Sequence, residues 1–571
     1  MDGDAMVVMD GVVKRFGKGA PALAGVSGVI RAGEITGLVG PDGAGKTTLI
    51  RIMTGLMLPD AGSMSVLGYD TRTEATAIQQ DIGYMPQRFG LYEDLTVQEN
   101  LNLYADLQGL VKNKRAAVFD ELLTFTDLKR FVGRLSGKMS GGMKQKLGLA
   151  CALMRKPRLL LLDEPGVGVD PVSRRELWKM VTALVGDGMG VVWSTAYLDE
   201  AEACARVLLL NNGGLLYAGE PGGLTERVAG RVYTVSGDMG RKRAVLTDLL
   251  ERDDVVDGTI QGDAVRLVME GRGPVTDLHA GMTTTPAQPR FEDAFIDMLG
   301  GGPGGRSALA EASRIVPPQA RPVIEAHGLT KRFGDFTAAR DITFSVGRGE
   351  IFGLLGSNGA GKSTTFKMLC GLLRPSGGEG RVAGYDLRRD GAAARNRLGY
   401  MAQKFSMYGD LSVRQNLEFF AGVYGLRRAA RRDKADMMVS IFDLAAYADQ
   451  NAKDLPLGLK QRLALACSVM HEPEALFLDE PTSGVDPVTR REFWTHINGL
   501  VEKGVGILVT THFMDEAEYC DRIALIYRGR AIAMGRPDEL KASVAGPDNL
   551  NPTMEDAFIA LLEREDREGA A

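Results

Sequence analysis

The sequence predicts an α/β protein of two tandem phosphate-loop domains, each with a mainly parallel sheet and a helical subdomain. The first reason is an internal repeat: residues 40–47 and 356–363 carry the same glycine-rich pattern, 316 positions apart. This offset persists for about two hundred residues. The second reason is that an apolar segment precedes each glycine loop and a helical pattern follows it. The third is a set of continuous apolar runs, such as residues 159–162, which are typical of strands buried on both faces of a sheet.

The length and composition indicate an ordinary globular protein with several domains. A chain of 571 residues is too long for a single hydrophobic core. The 44% hydrophobic and 25% charged residues are typical of a globular protein. Because the net charge is −5, the composition does not favour a polyanionic partner such as nucleic acid. We find no apolar run long enough to span a membrane, and the acidic N-terminus lacks the pattern of a signal peptide.

The cysteines show no spacing that is typical of a metal site. Each lies in an apolar helical pattern, which predicts a packing role in the interior. An odd number of poorly spaced cysteines is also typical of proteins from a reducing cytosol. The residues are Cys151, Cys204, Cys370, Cys467 and Cys520.

The glycine loops are predicted to bind the phosphates of a nucleotide. Glycine lets successive backbone N–H groups turn toward phosphate oxygens, and the following helix adds the partial positive charge of its N-terminus. Lys46 and Lys362 are expected to reach the β- and γ-phosphates, and the hydroxyls of Thr47 and Ser363 to ligate Mg²⁺. The alternative, a glycine-rich loop without a ligand, is disfavoured by the strand–helix context. The expected nucleotide contacts are Gly40, Asp42, Gly43, Ala44, Gly45, Lys46, Thr47, Thr48, Gly356, Asn358, Gly359, Ala360, Gly361, Lys362, Ser363 and Thr364.

An acidic pair follows an apolar run in each repeat. Asp163 and Asp479 are expected at the carboxyl edge of the sheet, where they would hold hydrated Mg²⁺. Glu164 and Glu480, one residue further on, are expected to orient and polarise the attacking water. The alternative is an acidic pair that caps a helix or faces solvent, but the preceding strand and the phosphate loop favour the catalytic interpretation.

Further motifs resemble the nucleotide-binding domain of ABC ATPases, in two copies that cover nearly the whole chain. The first repeat has Ser-Gly-Gly-Met at residues 140–143 before its acidic pair, and the second has Thr-Thr-His at residues 510–512 after its own. The resemblance implies that Gln87 and Gln403 ligate Mg²⁺ and that His512 contacts the γ-phosphate. The catalytic residues that it implies are Glu480, His512, Gln403 and Glu164, and the further ATP contacts are Ser140, Gly141, Gly142 and Met143. Phe16 and Phe333 are implied to stack on the adenine, with a core position as the alternative for Phe333.

Two features narrow the resemblance to the ATPases of ABC-2-type exporters. Residues 84–87 and 400–403 read Tyr-Met-Pro-Gln and Tyr-Met-Ala-Gln, and both halves end in a segment that contains Glu-Asp-Ala-Phe-Ile. The tandem resembles the fused ATP-binding subunit of a bacterial multidrug exporter. That resemblance implies ATP and Mg²⁺ as cofactors and two integral-membrane permease subunits as separate chains. It also implies a location at the cytoplasmic face of the inner membrane, peripheral through the permease.

Two other functions remain open for a tandem ATPase of this kind. One is a soluble protein that acts on ribosomes or DNA, but such relatives carry a long charged linker with intact motifs in both halves, or zinc modules. The other is a sugar-importer ATPase, against which the exporter-like segments argue. The sequence does not identify the transported substrate, and the direction of transport rests on the family resemblance.

Two departures from the family pattern separate the halves. Ala196 stands where the second half has its histidine, and Pro456 and Leu457 stand where the first half has serine and glycine. Alanine offers neither a hydrogen bond nor a charge, proline lacks an N–H group, and leucine blocks the close approach of a phosphate. Because ABC domains pair head to tail, the resemblance implies that both departures fall in the composite site that contains Glu164. We therefore expect one hydrolytic site and one weak site that mainly binds nucleotide.

The repeat boundaries predict four segments. Helical subdomains are expected at about residues 97–135 and 413–450, and the insert is expected to contain a helix at 241–252. The insert is interpreted as a packing elaboration, with a regulatory contact as the alternative. The segments are a first ABC domain at 1–228, a small α+β insert and tail at 229–299, a flexible Gly/Pro-rich linker at 300–322, and a second ABC domain with a C-terminal tail at 323–571.

Overall fold

The computed structural model describes residues 4–17, 19–87, 90–186, 188–237, 242–278, 281–403, 407–547 and 549–570. The chain forms two compact units. The first contains residues 1–229 and 288–301, and the second contains residues 230–287 and 302–571.

The strands and helices alternate along most of the chain. The strands are β1 (Ala5–Lys14), β2 (Leu23–Arg31), β3 (Ile35–Val39), β4 (Ala61–Val66), β5 (Tyr69–Asp70), β6 (Ile82–Met85), β7 (Leu159–Asp163), β8 (Gly190–Thr195), β9 (Arg206–Asn211), β10 (Gly214–Gly219), β11 (Val232–Ser236), β12 (Val255–Gln261), β13 (Ala264–Met269), β14 (Thr283–Pro286), β15 (Ile324–Phe333), β16 (Phe336–Val346), β17 (Ile351–Leu355), β18 (Gly377–Val382), β19 (Tyr385–Asp386), β20 (Leu398–Met401), β21 (Ala475–Asp479), β22 (Gly506–Thr511), β23 (Arg522–Tyr527) and β24 (Arg530–Gly535). The α-helices are α1 (Lys46–Met53), α2 (Ala75–Asp81), α3 (Val97–Leu107), α4 (Lys112–Phe125), α5 (Gly141–Ala152), α6 (Pro171–Val185), α7 (Leu198–Glu202), α8 (Pro221–Thr225), α9 (Lys242–Leu250), α10 (Phe291–Met298), α11 (Ala308–Ala312), α12 (Lys362–Leu369), α13 (Gly391–Arg395), α14 (Val413–Val423), α15 (Arg428–Ile441), α16 (Leu457–Val469), α17 (Pro487–Glu502), α18 (Met514–Ala517), α19 (Pro537–Ala542) and α20 (Met554–Ala570).

The first unit is built on a six-stranded sheet with the order β10-β9-β3-β8-β7-β6. All neighbours in it are parallel except β9 and β10. Strands β3, β7 and β8 are buried at every position, as the continuous apolar runs predict. An antiparallel sheet with the order β2-β1-β4-β5 encloses the core together with α1.

The second unit repeats this architecture. Its six-stranded sheet has the order β20-β21-β22-β17-β23-β24, and its antiparallel sheet has the order β16-β15-β18-β19. The register is also repeated: Val39 pairs with Thr195, and Leu355 pairs with Thr511. The predicted α/β fold with two tandem domains is therefore confirmed.

A helical subdomain lies between the sheet strands of each half, as predicted. It begins with α3 and α4 in the first half and with α14 and α15 in the second. Reciprocal capping boxes start α3 and α14: Thr96 with Glu99, and Ser412 with Gln415. Such caps satisfy backbone N–H groups at the helix start.

The insert after the first half folds as a small α+β element. Strands β12-β13-β11-β14 form an antiparallel sheet, and α9 packs on β12; Arg241, at the start of the predicted helix, lies outside the described residues. The insert belongs to the second unit. An Arg491 nitrogen lies 3.0 Å from an Asp257 oxygen, with the side chains 10% and 3% exposed, and Arg243 donates to Asp521 at 2.8 Å. A buried ion pair and a partly exposed one therefore hold the insert on the second half.

The segment that the sequence predicts as a flexible linker, residues 300–322, contains a short helix in its central part. Helix α11 packs against α17, and Leu309 is buried. Ser307 Oγ lies 3.0 Å from His496 Nδ1, and the backbone N–H of Val316 donates to Lys503 at 2.7 Å. Apolar side chains within this Gly/Pro-rich segment find a surface on the second half, and their burial orders it.

Two further expectations concern the cysteines and the membrane. All five cysteines are free and buried, which confirms their packing role, and burial raises the pKa of the Cys151 thiol. Among the described residues, no helix combines the length and the apolar character needed to cross a membrane.

Candidate nucleotide sites

The two glycine loops have a backbone geometry that requires glycine. Gly45 and Gly361 precede α1 and α12 with φ values of 106° and 108°, in the left-handed region. A Cβ atom on either residue would lie 2.4 Å from a backbone oxygen, that of Ala22 or Ala338. The loops therefore run close to a neighbouring segment, and the helix N-terminus opens toward the space that they enclose.

The loops also agree with each other in burial, position by position, from residue 40 to 48 and from 356 to 364. Gly40, Ala44, Gly356 and Ala360 are buried, Asp42, Thr47, Thr48, Asn358, Ser363 and Thr364 are half-buried, and Gly43 and Gly359 are exposed. The structure thus brings the predicted contacts of each half together around one loop.

Each loop lysine is buried and closes its own loop. Lys46 Nζ donates to the Gly40 carbonyl at 2.7 Å, and Lys362 Nζ donates to the Gly356 carbonyl at 2.5 Å. Lys46 Nζ also lies 3.6 Å from Glu164 Oε1. Each ammonium group is therefore held beside the loop, where it can interact with phosphate oxygens.

The aspartates at the ends of β7 and β21 form the acidic edge of each sheet. Thr47 Oγ1 donates to Asp163 at 3.3 Å, and Thr510 Oγ1 donates to Asp479 at 2.5 Å. Burial and the neighbouring Glu164 carboxylate raise the pKa of Asp163 to about 6. Burial likewise raises the pKa of Asp479. Both carboxylates are thus destabilised in their ionised form until a cation approaches.

The oxygen-rich surroundings of Asp163 suit Mg²⁺. Asp163 Oδ2 is buried and accepts no hydrogen bond from the part of the chain that the structure describes. The hydroxyl of Thr47 lies beside it, and hard cations prefer such oxygen donors. The residues present therefore fit the ion; in the second half, Ser363 and Asp479 occupy the equivalent positions.

Glu164 and Glu480 are held in the same unusual conformation. Their φ values are 53° and 49°, in the left-handed region that is uncommon for residues other than glycine. Gln403 Nε2 donates to Glu480 Oε2 at 2.6 Å, and Gln87 Nε2 donates to Glu164 Oε2. In each glutamine the amide nitrogen, which cannot ligate a metal ion, makes this hydrogen bond. The predicted metal role of these glutamines therefore depends on their amide oxygens.

His512 distinguishes the second site. Its Nδ1 lies 3.3 Å from Glu480 Oε2, and its buried Nε2 has no hydrogen-bond partner among the described residues. Burial alone would raise the pKa of Glu480, but His512, Lys362 and Gln403 outweigh it and lower that pKa. Glu480 is therefore held as a carboxylate, beside an imidazole nitrogen that is available to a ligand.

The first half keeps the backbone of this turn but lacks the imidazole. The N–H of Tyr197 donates to Thr195 Oγ1 at 2.9 Å, and the N–H of Phe513 donates to Thr511 Oγ1 at the same distance. Ala196 is buried at the tip of the first turn. The difference between the two turns is therefore local and chemical.

The starts of α5 and α16 also differ. Ser140 caps α5 by accepting a hydrogen bond from the backbone N–H of Met143 at 3.3 Å. Gly142 lies so close to Ser173 that an added Cβ atom would approach its Oγ to 2.4 Å. Pro456 begins α16 without a side-chain cap. The second half thus lacks the Ser140 hydroxyl and has Leu457 in place of Gly141, whereas Gly458 keeps the glycine equivalent to Gly142.

The two predicted adenine-stacking residues are exposed. Phe16 is 54% exposed and Phe333 is 51% exposed, so the core alternative for Phe333 is wrong. Lys14 and Lys331 lie 5.9 Å and 5.1 Å from the respective ring centroids. Each ring is exposed enough for a base to stack on it, and the stacking role stays a prediction.

Sequence reasoning missed two buried carboxylates, Glu200 and Glu516, which are 6% and 1% exposed. Each follows the turn after β8 or β22 by a few residues and accepts hydrogen bonds from that turn. The two glutamates lie at equivalent positions of the repeat, so an acidic residue that recurs after the same strand in both halves could have identified them.

Comparisons with known proteins agree with this geometry. A family model described as ABC transporter matches residues 23–167 and 339–483, which include the glycine loop and the acidic pair of each half. YbhF of Escherichia coli, a probable multidrug ABC transporter ATP-binding protein, is 57% identical over 99% of both chains. The daunorubicin resistance ATP-binding protein DrrA3 of Streptomyces coeruleorubidus is 40% identical, covering 42% of this chain and 77% of its own. The Nod factor export ATP-binding protein I of Ralstonia nicotianae is 37% identical, covering 43% and 79%.

Proposed function

The chain belongs to the ABC transporter family as an ATPase with two ATP-binding domains, and on this premise we propose that it powers an ABC-2-type exporter. The substrates would be drugs or other amphiphilic molecules. Support comes from relatives whose names refer to multidrug transport, daunorubicin resistance and Nod factor export. Neither a ribosomal partner nor sugar import has comparable support.

The arrangement around Glu480 is the observation that carries the part of the proposal that concerns ATP hydrolysis. This carboxylate accepts a hydrogen bond from Gln403 and lies 3.3 Å from His512 Nδ1, one residue beyond the aspartate that would hold Mg²⁺. In ATP hydrolysis, protein groups position the attacking water and stabilise charge on the γ-phosphoryl group. Glu480 would orient the water, Lys362 and His512 would contact the phosphate, and Mg²⁺ would neutralise phosphate charge.

The two halves would work unequally. The first half keeps its loop lysine and Asp163, so it would still bind Mg-ATP. In the head-to-tail pairing implied by the family, its site would combine Ala196 with Pro456 and Leu457, which offer few donors to the transition state. The protein would therefore have one hydrolytic composite site and one degenerate site.

The membrane-spanning part would be supplied by permease subunits, two in number and encoded as separate chains. The ATPase would then lie at the cytoplasmic face of the inner membrane, peripheral through those subunits. This arrangement fits a chain whose described helices include no membrane span and whose relatives are named as ATP-binding proteins of transporters.

A pull-down from detergent-solubilised membranes tests the proposal. We expect the tagged protein to retain two small polytopic membrane proteins together with ATPase activity. A matched sample of the Glu480→Gln variant should retain the same partners without turnover. Retention of ribosomes, or of no membrane protein at all, would exclude the exporter.

A further inference from the structure

Glu516 joins two segments of the second half that carry catalytic groups. The carboxylate is 1% exposed. Thr482 Oγ1 donates to its Oε1, and Thr511 Oγ1 donates to its Oε2 at 2.5 Å. Thr482 lies two residues after Glu480, and Thr511 directly precedes His512. A single side chain therefore contacts both the loop that follows Glu480 and the turn that carries His512.

The hydroxyl of Thr511 extends this contact across the turn. It donates to Glu516 and accepts from the backbone N–H of Phe513 at 2.9 Å. The residue between them is His512, whose Nδ1 lies 3.3 Å from Glu480 Oε2. Since hydrogen bonds to a buried carboxylate are short and strong, they restrict how far these two segments can separate.

We call the hydrogen bonds that join Glu516 to Thr482 and to Thr511 the bridge, and the first half lacks one side of it. Glu200 Oε2 accepts from Thr195 Oγ1 at 2.6 Å and from Trp193 Nε1 at 2.7 Å. Its Oε1 receives no hydrogen bond from the described residues and lies 3.9 Å from an Arg174 nitrogen. Gly166 stands where the second half has Thr482. Glu200 therefore holds the turn but does not reach a hydroxyl on the loop after Glu164.

We propose that Glu516 is a positioning residue for ATP hydrolysis, holding Glu480 and His512 in register through Thr482 and Thr511. The proposal rests on the proposed function, in which the second half contains the hydrolytic site. Without the bridge, the loop after Glu480 and the turn with His512 can move independently, so the carboxylate and the imidazole meet the γ-phosphate and water in fewer productive geometries. The missing bridge is a third difference that weakens the first half.

The substitution Thr482→Val tests the bridge, because it keeps the shape of the side chain and removes only the hydroxyl. We expect kcat to fall about tenfold, a change of about 1.4 kcal/mol in the barrier. KM for ATP should stay the same, since the glycine loop is untouched. Thr482→Ser, which keeps the hydroxyl, should retain most of the activity.

The matched control is Thr126→Val. Thr126 is fully buried and donates to the Leu122 carbonyl at 2.7 Å, in the first-half helical subdomain. The Thr126→Val variant therefore also loses a buried threonine hydrogen bond, here to a backbone carbonyl, without a change at the bridge. Its kcat should equal that of the unmodified protein, and an equal loss in both variants would attribute the effect to general destabilisation.

A double-mutant cycle separates positioning from a local structural role. If Thr482 acts through the alignment of His512, then Thr482→Val should cost little when introduced into His512→Ala. Fully additive losses would overturn the proposal, as would unchanged kcat in Thr482→Val. All variants are assayed as the full chain with its permease, beside Glu480→Gln. If Glu480→Gln still hydrolyses ATP, the proposed assignment of hydrolysis to the second half fails. If Glu480→Gln is inactive but Thr482→Val leaves kcat unchanged, only the bridge fails.

Discussion

At the scale of single residues, the two halves differ in what surrounds an identical glutamate. Glu164 and Glu480 share a left-handed backbone and a glutamine donor. Only Glu480 also has an imidazole within 3.3 Å. Because similar backbones carry unequal donors, we attribute the proposed difference in activity to side chains and not to the fold.

This assignment predicts unequal effects of the same substitution. Glu480→Gln should abolish turnover and accumulate an ATP-bound form, whereas Glu164→Gln should retain much of the activity. The loss of one transition-state contact typically costs about a hundredfold in rate. The measurement is steady-state ATPase of each variant assembled with the permease, and equal losses would indicate two hydrolytic sites.

At the scale of elements, the repeat helices α6 and α17 show how context changes burial. The first has three buried residues, Pro171, Leu177 and Val181. The second buries a wider surface that includes Trp494, His496 and Asn498, where α9 and α11 pack on it. The same repeat element is thus a surface helix in one half and a central helix in the other.

His496 makes this packing sensitive to pH. Burial, with a contribution from Arg462, lowers the pKa of His496 to about 4, so the imidazole is neutral in the folded protein. In the unfolded chain this histidine binds a proton with a pKa of about 6.5. The contribution of His496 to the stability of the folded protein is therefore present above pH 6.5 and is lost as the pH falls toward 4. Between pH 7 and 5 the loss from this residue should be about 2 kcal/mol.

Urea unfolding at pH 7 and at pH 5 checks this expectation. His496→Gln cannot titrate and should lose about 2 kcal/mol less than the unmodified protein over that interval. The control is His327→Gln, since His327 is exposed. If both variants lose stability in parallel with the unmodified protein, His496 does not govern the acid sensitivity.

At the scale of the whole molecule, chain order and compact units do not coincide. The insert at residues 230–287 follows the first half in sequence but belongs to the second unit, whereas residues 288–301 return to the first. Two consequences follow. The second unit is not an independent C-terminal piece of the chain, and a truncation after residue 301 would remove the surface on which the insert packs.

The Arg491–Asp257 pair should control the docking of the insert. Arg491→Ala would leave the Asp257 carboxylate buried without this partner, which typically costs about 3 kcal/mol. We expect faster limited proteolysis within residues 230–287 and a lower urea midpoint. Arg175→Ala is the matched control, because Arg175 is the repeat equivalent and is exposed. Equal proteolysis rates in the two variants would show that this pair does not hold the insert.

The sequence by itself determined the α/β fold, the tandem repeat and the nucleotide loops of this protein. These features depend on local chemistry: glycines that adopt positive φ, a lysine at a helix start, and an acidic pair that ends a buried strand. The glycine loop with its lysine, and the strand with its acidic pair, each occupy about ten consecutive residues, so a local sequence pattern is enough to predict them.

Only the tertiary structure decided where the insert packs, that residues 307–316 are ordered, and that Glu516 bridges two catalytic segments. Thr482 and Glu516 lie 34 positions apart in the chain, and Arg243 and Asp521 lie 278 apart. Contacts at such separations depend on how whole elements pack and on which polar groups burial forces to pair. Neither the period of a strand nor the spacing of a motif contains that information.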